Sequence, residues 1–267
     1  MKPLPNRSNF VVGFVLYHPQ ENLYFRVEKL LSLRYRVYIF DNSPFGNEHS
    51  FATWGDPNIT YLTAGKNVGI GYALSTLCAT AYAHGYQQLL FLDQDTGISA
   101  QTVEFIETFP RSLPADLQQK YAVLVFNGQP ATEHAVQEVR LAISSGSLFN
   151  LKVLQKIGWH NENYFVDCVD YELCLRARRC GYKICLIKNT PDLDHITEQP
   201  DRKISVFGKK ILVRRYSTTR IKDALGAYIK LIIGGLSRNS LSDSYVLTRS
   251  MGLYIFGQLI SRFIRGK

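Results

Sequence analysis

The sequence has no cysteine pair at C-x-x-C spacing and no long apolar run. Its five cysteines, an odd number, are Cys78, Cys168, Cys174, Cys180 and Cys185. This pattern excludes a disulfide framework and a cysteine-based zinc site. No 18 consecutive residues are apolar, and the first nine residues lack the apolar centre of a secretory signal. We therefore expect the protein to work in the cytoplasm.

Acidic residues are scarce in only one part of the chain. Residues 1–201 contain 17 Lys and Arg against 20 Asp and Glu, whereas residues 202–267 contain 14 against 2. The net charge of +9 therefore comes from the second segment, which also has apolar stretches. The apolar share of 46% excludes disorder. We predict a globular domain over residues 1–201 and a basic, amphipathic, helical extension over residues 202–267.

Short apolar runs alternate with helical patterns in the predicted domain. The runs are Phe10–Tyr17, Arg36–Phe40, Ile59–Leu62, Gln88–Leu92 and Tyr121–Phe126. Helical patterns lie between them, at Asn22–Leu33 and Gly69–Gly85. This order is typical of an α/β fold with a mixed, mostly parallel sheet flanked by helices. Ligands of such sheets bind beyond the carboxyl ends of the strands, so the residues after each run are the candidate site residues.

A D-x-D pair follows the most apolar of these runs. Asp93 and Asp95 come directly after residues 89–92 (LLFL). Hard oxygen ligands of this kind suit Mg²⁺ or Mn²⁺ bound to a diphosphate, while ordinary loop capping is the alternative interpretation. His195 follows a later strand and a short acidic stretch, and is a candidate third metal ligand. The sequence predicts a metal site of Asp93, Asp95 and His195.

Other strand ends carry candidate residues for binding a nucleotide. Asp41 could accept a hydrogen bond from the imide N–H of uracil or thymine, or could close an Asx turn. Lys66, Asn67 and Gly69 precede a helix, where free N–H groups favour an anion, although helix packing also explains the glycine. His18 ends the first strand, and we expect it to line the pocket.

Three acids cluster at the start of a later helix. They are Asp167, Asp170 and Glu172. A helix N-terminus keeps a carboxylate ionised, as a general base that accepts a hydroxyl proton must be. We predict this role for Asp170. Capping and first-turn pairing are the alternative roles for Asp167 and Glu172.

Five motifs together resemble the family 2 inverting glycosyltransferases of the GT-A fold, and within them the bacterial rhamnosyltransferase-like enzymes. The motifs are FDNS at 40–43, KNVGIGYA at 66–73, FLDQD at 91–95, ISSGSL at 143–148 and YFVDCVDYELCLRARRCGY at 164–182. The resemblance implies a GT-A (Rossmann-like) fold and a single in-line displacement with inversion at the anomeric carbon. The acid pair usually written Glu-Asp is Val169-Asp170 here, a form associated with the rhamnosyltransferase-like branch.

The resemblance also implies roles for individual residues. Asp41 matches the base-binding acid, and Asn67 and Gly69 match the nucleotide-sugar loop. Asp93, Gln94 and Asp95 match the diphosphate and metal motif, and His195 matches a late metal or diphosphate contact. Asp170 matches the acid that deprotonates the acceptor.

The same resemblance implies a donor and an acceptor. The implied donor is dTDP-rhamnose, with a UDP-hexose or UDP-galactofuranose as the alternative. The implied acceptor is a lipid-linked bacterial surface glycan, such as O-antigen or capsule.

The basic extension has the profile of a segment that lies on an anionic membrane rather than crossing it. We therefore expect a peripheral location on the inner face of the bacterial plasma membrane. Packing as a homodimer interface is the alternative role of residues 202–267.

A nucleotidyltransferase and a basic nucleic-acid-binding protein are the competing functions. No recognised nucleic-acid-binding motif accompanies the basic residues, so we expect no nucleic-acid partner.

Overall fold

The computed structural model describes residues 9–20, 22–44, 55–131, 136–195, 202–206, 209–213 and 215–263. The chain forms two compact units. The first comprises residues 1–165 and 169–196, and the second comprises residues 166–168 and 197–267. The expected domains differ from these units in two respects: the boundary lies between residues 196 and 197 rather than between 201 and 202, and the short segment 166–168 groups with the C-terminal unit.

The first unit consists of strands that alternate with helices along most of its length. Its strands are β1 (Phe10–Leu16), β2 (Val37–Asp41), β3 (Ile59–Thr63), β4 (Gln88–Asp93), β5 (Thr96–Gly97), β6 (Tyr121–Phe126), β7 (Val136–Glu138), β8 (Ser147–Asn150), β9 (Lys183–Ile187) and β10 (Asp194–His195). Its helices are α1 (Asn22–Ser32), α2 (Gly69–Ala83), α3 (Ala100–Thr108), α4 (Ala115–Lys120), α5 (Leu151–Ile157) and α6 (Val169–Arg179), with a 3₁₀ turn at Phe109–Ser112.

Eight strands form one sheet in the order β3-β2-β1-β4-β8-β6-β9-β7. Strands β3, β2, β1 and β4 are parallel, as are β6 and β9, whereas β8 and β7 run antiparallel to their neighbours. The expected mixed, mostly parallel α/β sheet is confirmed. The two-residue strands β5 and β10 pair separately, directly after the D-x-D turn.

The central strands are apolar on both sides because helices cover both faces of the sheet. On one face Phe10, Phe14 and Leu16 pack in a core with Leu23 and Val27 of α1. Val11 of the same strand points to the opposite face and is also fully buried. Continuous apolar runs such as FVVGFVL are therefore what a doubly covered parallel sheet requires.

The second unit contains a β-hairpin and two long helices. The hairpin strands are β11 (Arg202–Val206) and β12 (Lys209–Val213), and the helices are α7 (Thr218–Leu236) and α8 (Leu241–Phe263). Sequence analysis described this segment only as helical, so the hairpin is an addition. None of the helices in the described ranges is long and apolar enough to cross a membrane.

Candidate active site

The ends of three neighbouring strands bring the first candidate residues together. Val15 of β1 is in register with Asp93 of β4, and Leu16 is in register with Asp41 of β2. Asp41 and Asp93 therefore flank the end of β1, on strands two spacings apart, or roughly 10 Å. The sheet edge that the sequence predicted as the ligand site thus carries two of the predicted carboxylates.

Asp41 is buried and hydrogen-bonded through both carboxylate oxygens. Its Oδ1 accepts the Ser43 N–H at 2.7 Å, and its Oδ2 accepts the Tyr61 hydroxyl at 2.8 Å. The Asx turn that was the alternative role is therefore present. Each carboxylate oxygen still has a second lone pair. The contact of Asp41 with a nucleobase stays a prediction.

Asn42 connects the end of β2 to the predicted nucleotide-sugar loop, residues 66–71, which we call the donor loop. Its Oδ1 accepts the Val68 N–H at 3.2 Å, and its amide donates to the Gly69 carbonyl at 3.3 Å. Within the loop, Asn67 Oδ1 accepts the Gly69 N–H at 3.0 Å. Lys66 and Asn67 are both exposed beside this turn. The loop is thus fixed by side-chain amides, with its lysine open to solvent.

Gly69 and Gly71 allow the segment 161–165 to pack directly on the donor loop. A Cβ at Gly69 would lie 2.5 Å from the Phe165 carbonyl oxygen, and one at Gly71 would lie 2.5 Å from that of Tyr164. The Ile70 N–H donates to the Phe165 carbonyl at 2.6 Å. Gly69 also has a φ of +84°, which favours glycine. These glycines therefore serve close backbone packing, the alternative that the sequence had left open.

The D-x-D turn is held by residues from three other elements. Asp93 is exposed at the end of β4, and Asp95 is half-buried in the turn that follows. The Asp93 N–H donates to Ser145 Oγ at 3.3 Å, which itself lies 3.0 Å from the Thr96 hydroxyl. Gln94 Oε1 accepts the Tyr17 N–H at 3.0 Å. These contacts hold the turn that carries the two carboxylates.

Sequence reasoning missed two residues that support this turn. Ser145 is the second serine of the ISSGSL motif, and the sequence pattern predicted no role for it. Arg26 of α1 donates a hydrogen bond from Nη1 to the Gln94 carbonyl oxygen. No local pattern marks Arg26, because it comes from a helix 68 residues away in sequence.

The residues at this turn fit a hard divalent cation in part. Among the described residues no group of three or more His, Cys, Asp or Glu lies together as a metal site. The backbone of His195 pairs with Thr96, directly after Asp95, while its side chain lies outside the described part. Asp93 and Asp95 supply two carboxylates, and Mg²⁺ is usually held by one or two carboxylates plus substrate phosphates and water. The donor set therefore fits a metal that arrives with a diphosphate.

Asp170 lies in the first turn of α6 and is half-buried. Its Oδ1 accepts the N–H of Tyr171 at 2.9 Å, so the carboxylate is held near the N-terminus of the helix. The partial positive charge there favours the ionised form. This position suits the predicted general base, and the role itself stays a prediction.

The other two acids of the cluster form ion pairs instead. Glu172 is buried and contacts Arg176 at 2.8 Å, and Arg176 also donates to the Ile157 carbonyl at 2.8 Å near the end of α5. Asp167 pairs with Arg220 at 3.3 Å within the second unit. Both contacts differ from simple helix capping, and they support local structure.

His18 is exposed and has a positive φ of 49°. Its N–H donates to Ser43 Oγ at 3.0 Å, and its ring contacts that of Tyr17 edge-on at 4.4 Å. The residue thus lies at the same sheet edge as Asp41. A pocket-lining role remains our expectation for it.

Comparison with known proteins agrees with this architecture. No family model matches the chain. A dTDP-rhamnosyl transferase, RfbF of Shigella flexneri, is 25% identical over 236 residues, which cover 80% of this chain and 78% of that protein. Among solved structures, GalNAc-T7 with UDP, GalNAc and Mn²⁺ matches with a TM-score of 0.57 and 11% identity over 87% of this chain. S. aureus TarS matches with a TM-score of 0.48 and 16% identity over 67% of this chain.

This chain covers only 51% of the GalNAc-T7 structure and 35% of the TarS structure. The likeness to GalNAc-T7 concerns the fold alone, which is of the GT-A type. The sequence similarity to RfbF is independent of that likeness and extends over most of both proteins. The chain thus has a fold of the GT-A type and is similar in sequence to a dTDP-rhamnosyl transferase.

Proposed function

We propose that this protein is a metal-dependent inverting glycosyltransferase that transfers rhamnose from dTDP-rhamnose to a growing, lipid-linked bacterial surface glycan. One observation carries the proposal. The ends of β1, β2 and β4 present Asp41 and Asp93 at one sheet edge, and the segment leading to Asp170 packs on the donor loop at Ile70. This packing supports a single site that combines the residues proposed for the donor with the residue proposed for the acceptor proton.

The proposed reaction is a single displacement. The acceptor hydroxyl oxygen forms a bond to the anomeric carbon while the bond from that carbon to the diphosphate oxygen breaks. The nucleoside diphosphate leaves with the electron pair, and the hydroxyl proton passes to the Asp170 carboxylate. A divalent cation at Asp93 and Asp95 would stabilise the negative charge on the leaving diphosphate. The anomeric configuration inverts, because the attack comes from the face opposite the leaving group.

The donor assignment rests on RfbF, which is named as a dTDP-rhamnosyl transferase. UDP-linked hexoses are the alternative donors, and one neighbouring structure contains UDP-GlcNAc. A thermal-shift panel separates them, because a ligand that binds only the folded state raises the melting point. We expect dTDP and dTDP-rhamnose to stabilise the protein only with Mn²⁺ or Mg²⁺. Stabilisation by UDP compounds alone would change the donor, and no response to any nucleotide would refute the proposed function.

Transfer itself is tested by the release of nucleoside diphosphate from dTDP-rhamnose in the presence of a lipid-linked acceptor. The Asp95→Ala variant serves as the metal-site control, because it removes one of the two carboxylates. We expect its metal-dependent stabilisation by dTDP to be lost while its melting point without ligand stays close to that of the wild type. Unchanged stabilisation would argue against Asp95 as a metal ligand.

We also propose that the second unit contacts an anionic membrane surface on the cytoplasmic side. On α7, Ile229, Ile233 and Leu236 are exposed at i, i+4 and i+7, with Lys222 exposed on the same face. Apolar side chains beside cations suit the interface of an anionic bilayer. On α8 the large exposed apolar side chains include Leu241, Tyr245, Leu253 and Phe256.

Sedimentation with vesicles tests this contact. We expect the protein to pellet with vesicles rich in phosphatidylglycerol more than with neutral vesicles, and to be released by salt, because each basic residue near the surface contributes about 1 kcal/mol. The Ile233→Ser variant should bind vesicles more weakly. A stable dimer in light scattering, with no vesicle binding, would instead support a homodimer interface.

A further inference from the structure

The peptide unit between the two D-x-D carboxylates is held from two sides. Gln94 lies between Asp93 and Asp95 in the turn after β4. Its side-chain oxygen accepts the Tyr17 N–H at 3.0 Å, and its backbone carbonyl accepts a hydrogen bond from Arg26 Nη1. The end of β1 and helix α1 therefore both restrain the residue that separates the two candidate metal ligands.

Arg26 approaches this turn from a helix whose position is fixed by the core. Leu23, Val27 and Leu30 of α1 are fully buried against the sheet, with exposures of 0%, 0% and 1%. Arg26 lies one helical turn from Leu23 and from Leu30, and it is itself half-buried. Its guanidinium therefore has little freedom to leave the turn without losing packing of its aliphatic stem.

The chemistry of the guanidinium suits this position. It has a positive charge and several N–H donors in a rigid plane, so it can hold a carbonyl and offset nearby negative charge. Two carboxylates follow one another here with a single residue between them. Outer contacts that orient metal ligands commonly change metal affinity 10- to 100-fold when they are removed.

We propose that Arg26 is a positioning residue for the D-x-D turn: through the Gln94 carbonyl it holds Asp93 and Asp95 in the arrangement that binds the metal–diphosphate unit. Gln94 is then mainly a structural link, rather than the direct donor contact that the resemblance implied. This inference rests on the proposed function, because it takes the metal site at Asp93 and Asp95 as given.

The Arg26→Met variant removes the hydrogen bond and the charge but keeps much of the apolar stem. We expect the Mn²⁺ concentration for half-maximal dTDP binding to rise about 10-fold or more. At saturating Mn²⁺ the turnover should return close to the wild-type value, because Arg26 does not contact the reacting atoms. The Arg26→Lys variant retains a positive charge and a hydrogen-bond donor. Its Mn²⁺ concentration for half-maximal dTDP binding should lie between those of the wild type and Arg26→Met.

The matched control is Lys29→Met on the same helix, which removes an exposed positive charge without touching Gln94. Calorimetric titration of Mn²⁺ into each protein with dTDP, and in parallel with UDP, measures binding without relying on activity. Circular dichroism and melting curves check that each variant is folded. We expect Lys29→Met to bind Mn²⁺ and dTDP like the wild type.

Three results would overturn the inference. If Arg26→Met shows the wild-type dependence on Mn²⁺, the positioning role is wrong while the proposed function stands. If Arg26→Met weakens dTDP binding to the same extent at every Mn²⁺ concentration, saturation included, Arg26 contacts the phosphates directly. If the wild type itself binds neither nucleotide with metal, the proposed function fails and this role fails with it.

Discussion

The substitution Gly71→Ala tests how closely the donor loop and the segment before Asp170 are packed. The added Cβ would lie 2.5 Å from the Tyr164 carbonyl oxygen and 2.6 Å from that of Asn161. Carbon and oxygen atoms in close contact are normally roughly 3.3 Å apart or more, so the backbone must move by roughly 0.7 Å or more. Both atoms belong to the backbone, so no rotamer change relieves the clash.

Two opposing effects set the magnitude. Overpacking of this kind costs about 1–3 kcal/mol, whereas alanine is favoured over glycine in a helix by about 1 kcal/mol. The helical preference counts for less in the first turn of α2, so we expect a net loss of about 1–2 kcal/mol. For a domain of this size each kcal/mol lowers the melting point by roughly 2–4 °C. The expected decrease is therefore roughly 2–8 °C.

The same movement should reduce catalysis. Residues 161–165 lead to Asp170, and a displacement near 1 Å in a positioning segment can cost on the order of 10²-fold in rate. Thermal melts give the stability, and nucleoside diphosphate release gives the turnover. The control is Thr76→Ala on the same helix, where the hydroxyl donates a hydrogen bond to the Tyr72 carbonyl at 2.9 Å. That variant should change stability by no more than about 0.5 kcal/mol. A Gly71→Ala protein that melts at or above the wild-type temperature would refute the packing argument.

Three further predictions concern separate parts of the chain. Asp170→Asn should leave dTDP affinity nearly unchanged and lower turnover by about 10²–10⁴-fold, and normal turnover would remove Asp170 from the base role. In α7, an added Cβ at Gly226 would meet no atom within 4 Å, so Gly226→Ala should raise the free energy of unfolding by about 0.5–1 kcal/mol. Urea titration measures this change, and a lower free energy of unfolding would show that the position is not open. Burial, with a smaller contribution from Arg176, lowers the pKa of His160 to about 3. Below pH 6.5 the unfolded chain therefore binds a proton that the folded chain does not, and stability falls by up to about 1.4 kcal/mol per pH unit. His160→Gln should flatten this loss between pH 6.5 and 5 in urea titrations, and a slope equal to the wild type would refute it.

Local pattern was sufficient for five strands of the large sheet, β1, β2, β3, β4 and β6, and for the edge at which the candidate site lies. The strand Phe10–Leu16 and residues 89–92 of β4 are apolar throughout because both faces of each strand are covered, and this burial is visible in composition alone. Strand ends in a parallel sheet share one edge, so the positions of Asp41 and Asp93 followed from the order of elements. The D-x-D motif needed no tertiary information.

Only the tertiary structure decided what the neighbours of those residues do. The sequence placed Gly69 and Gly71 at a helix start, but their role in receiving residues 161–165 depends on a contact across more than 90 positions. Arg26 reaches Gln94 from another helix, and no spacing rule connects them. The sequence left the role of Glu172 open, and its contact with Arg176 is a feature of the folded chain. Periodicity reports which face of an element is buried, whereas pairing between distant side chains is set by how the elements pack. The sequence by itself therefore determined the fold class and the candidate carboxylates, and the packing alone determined their supports.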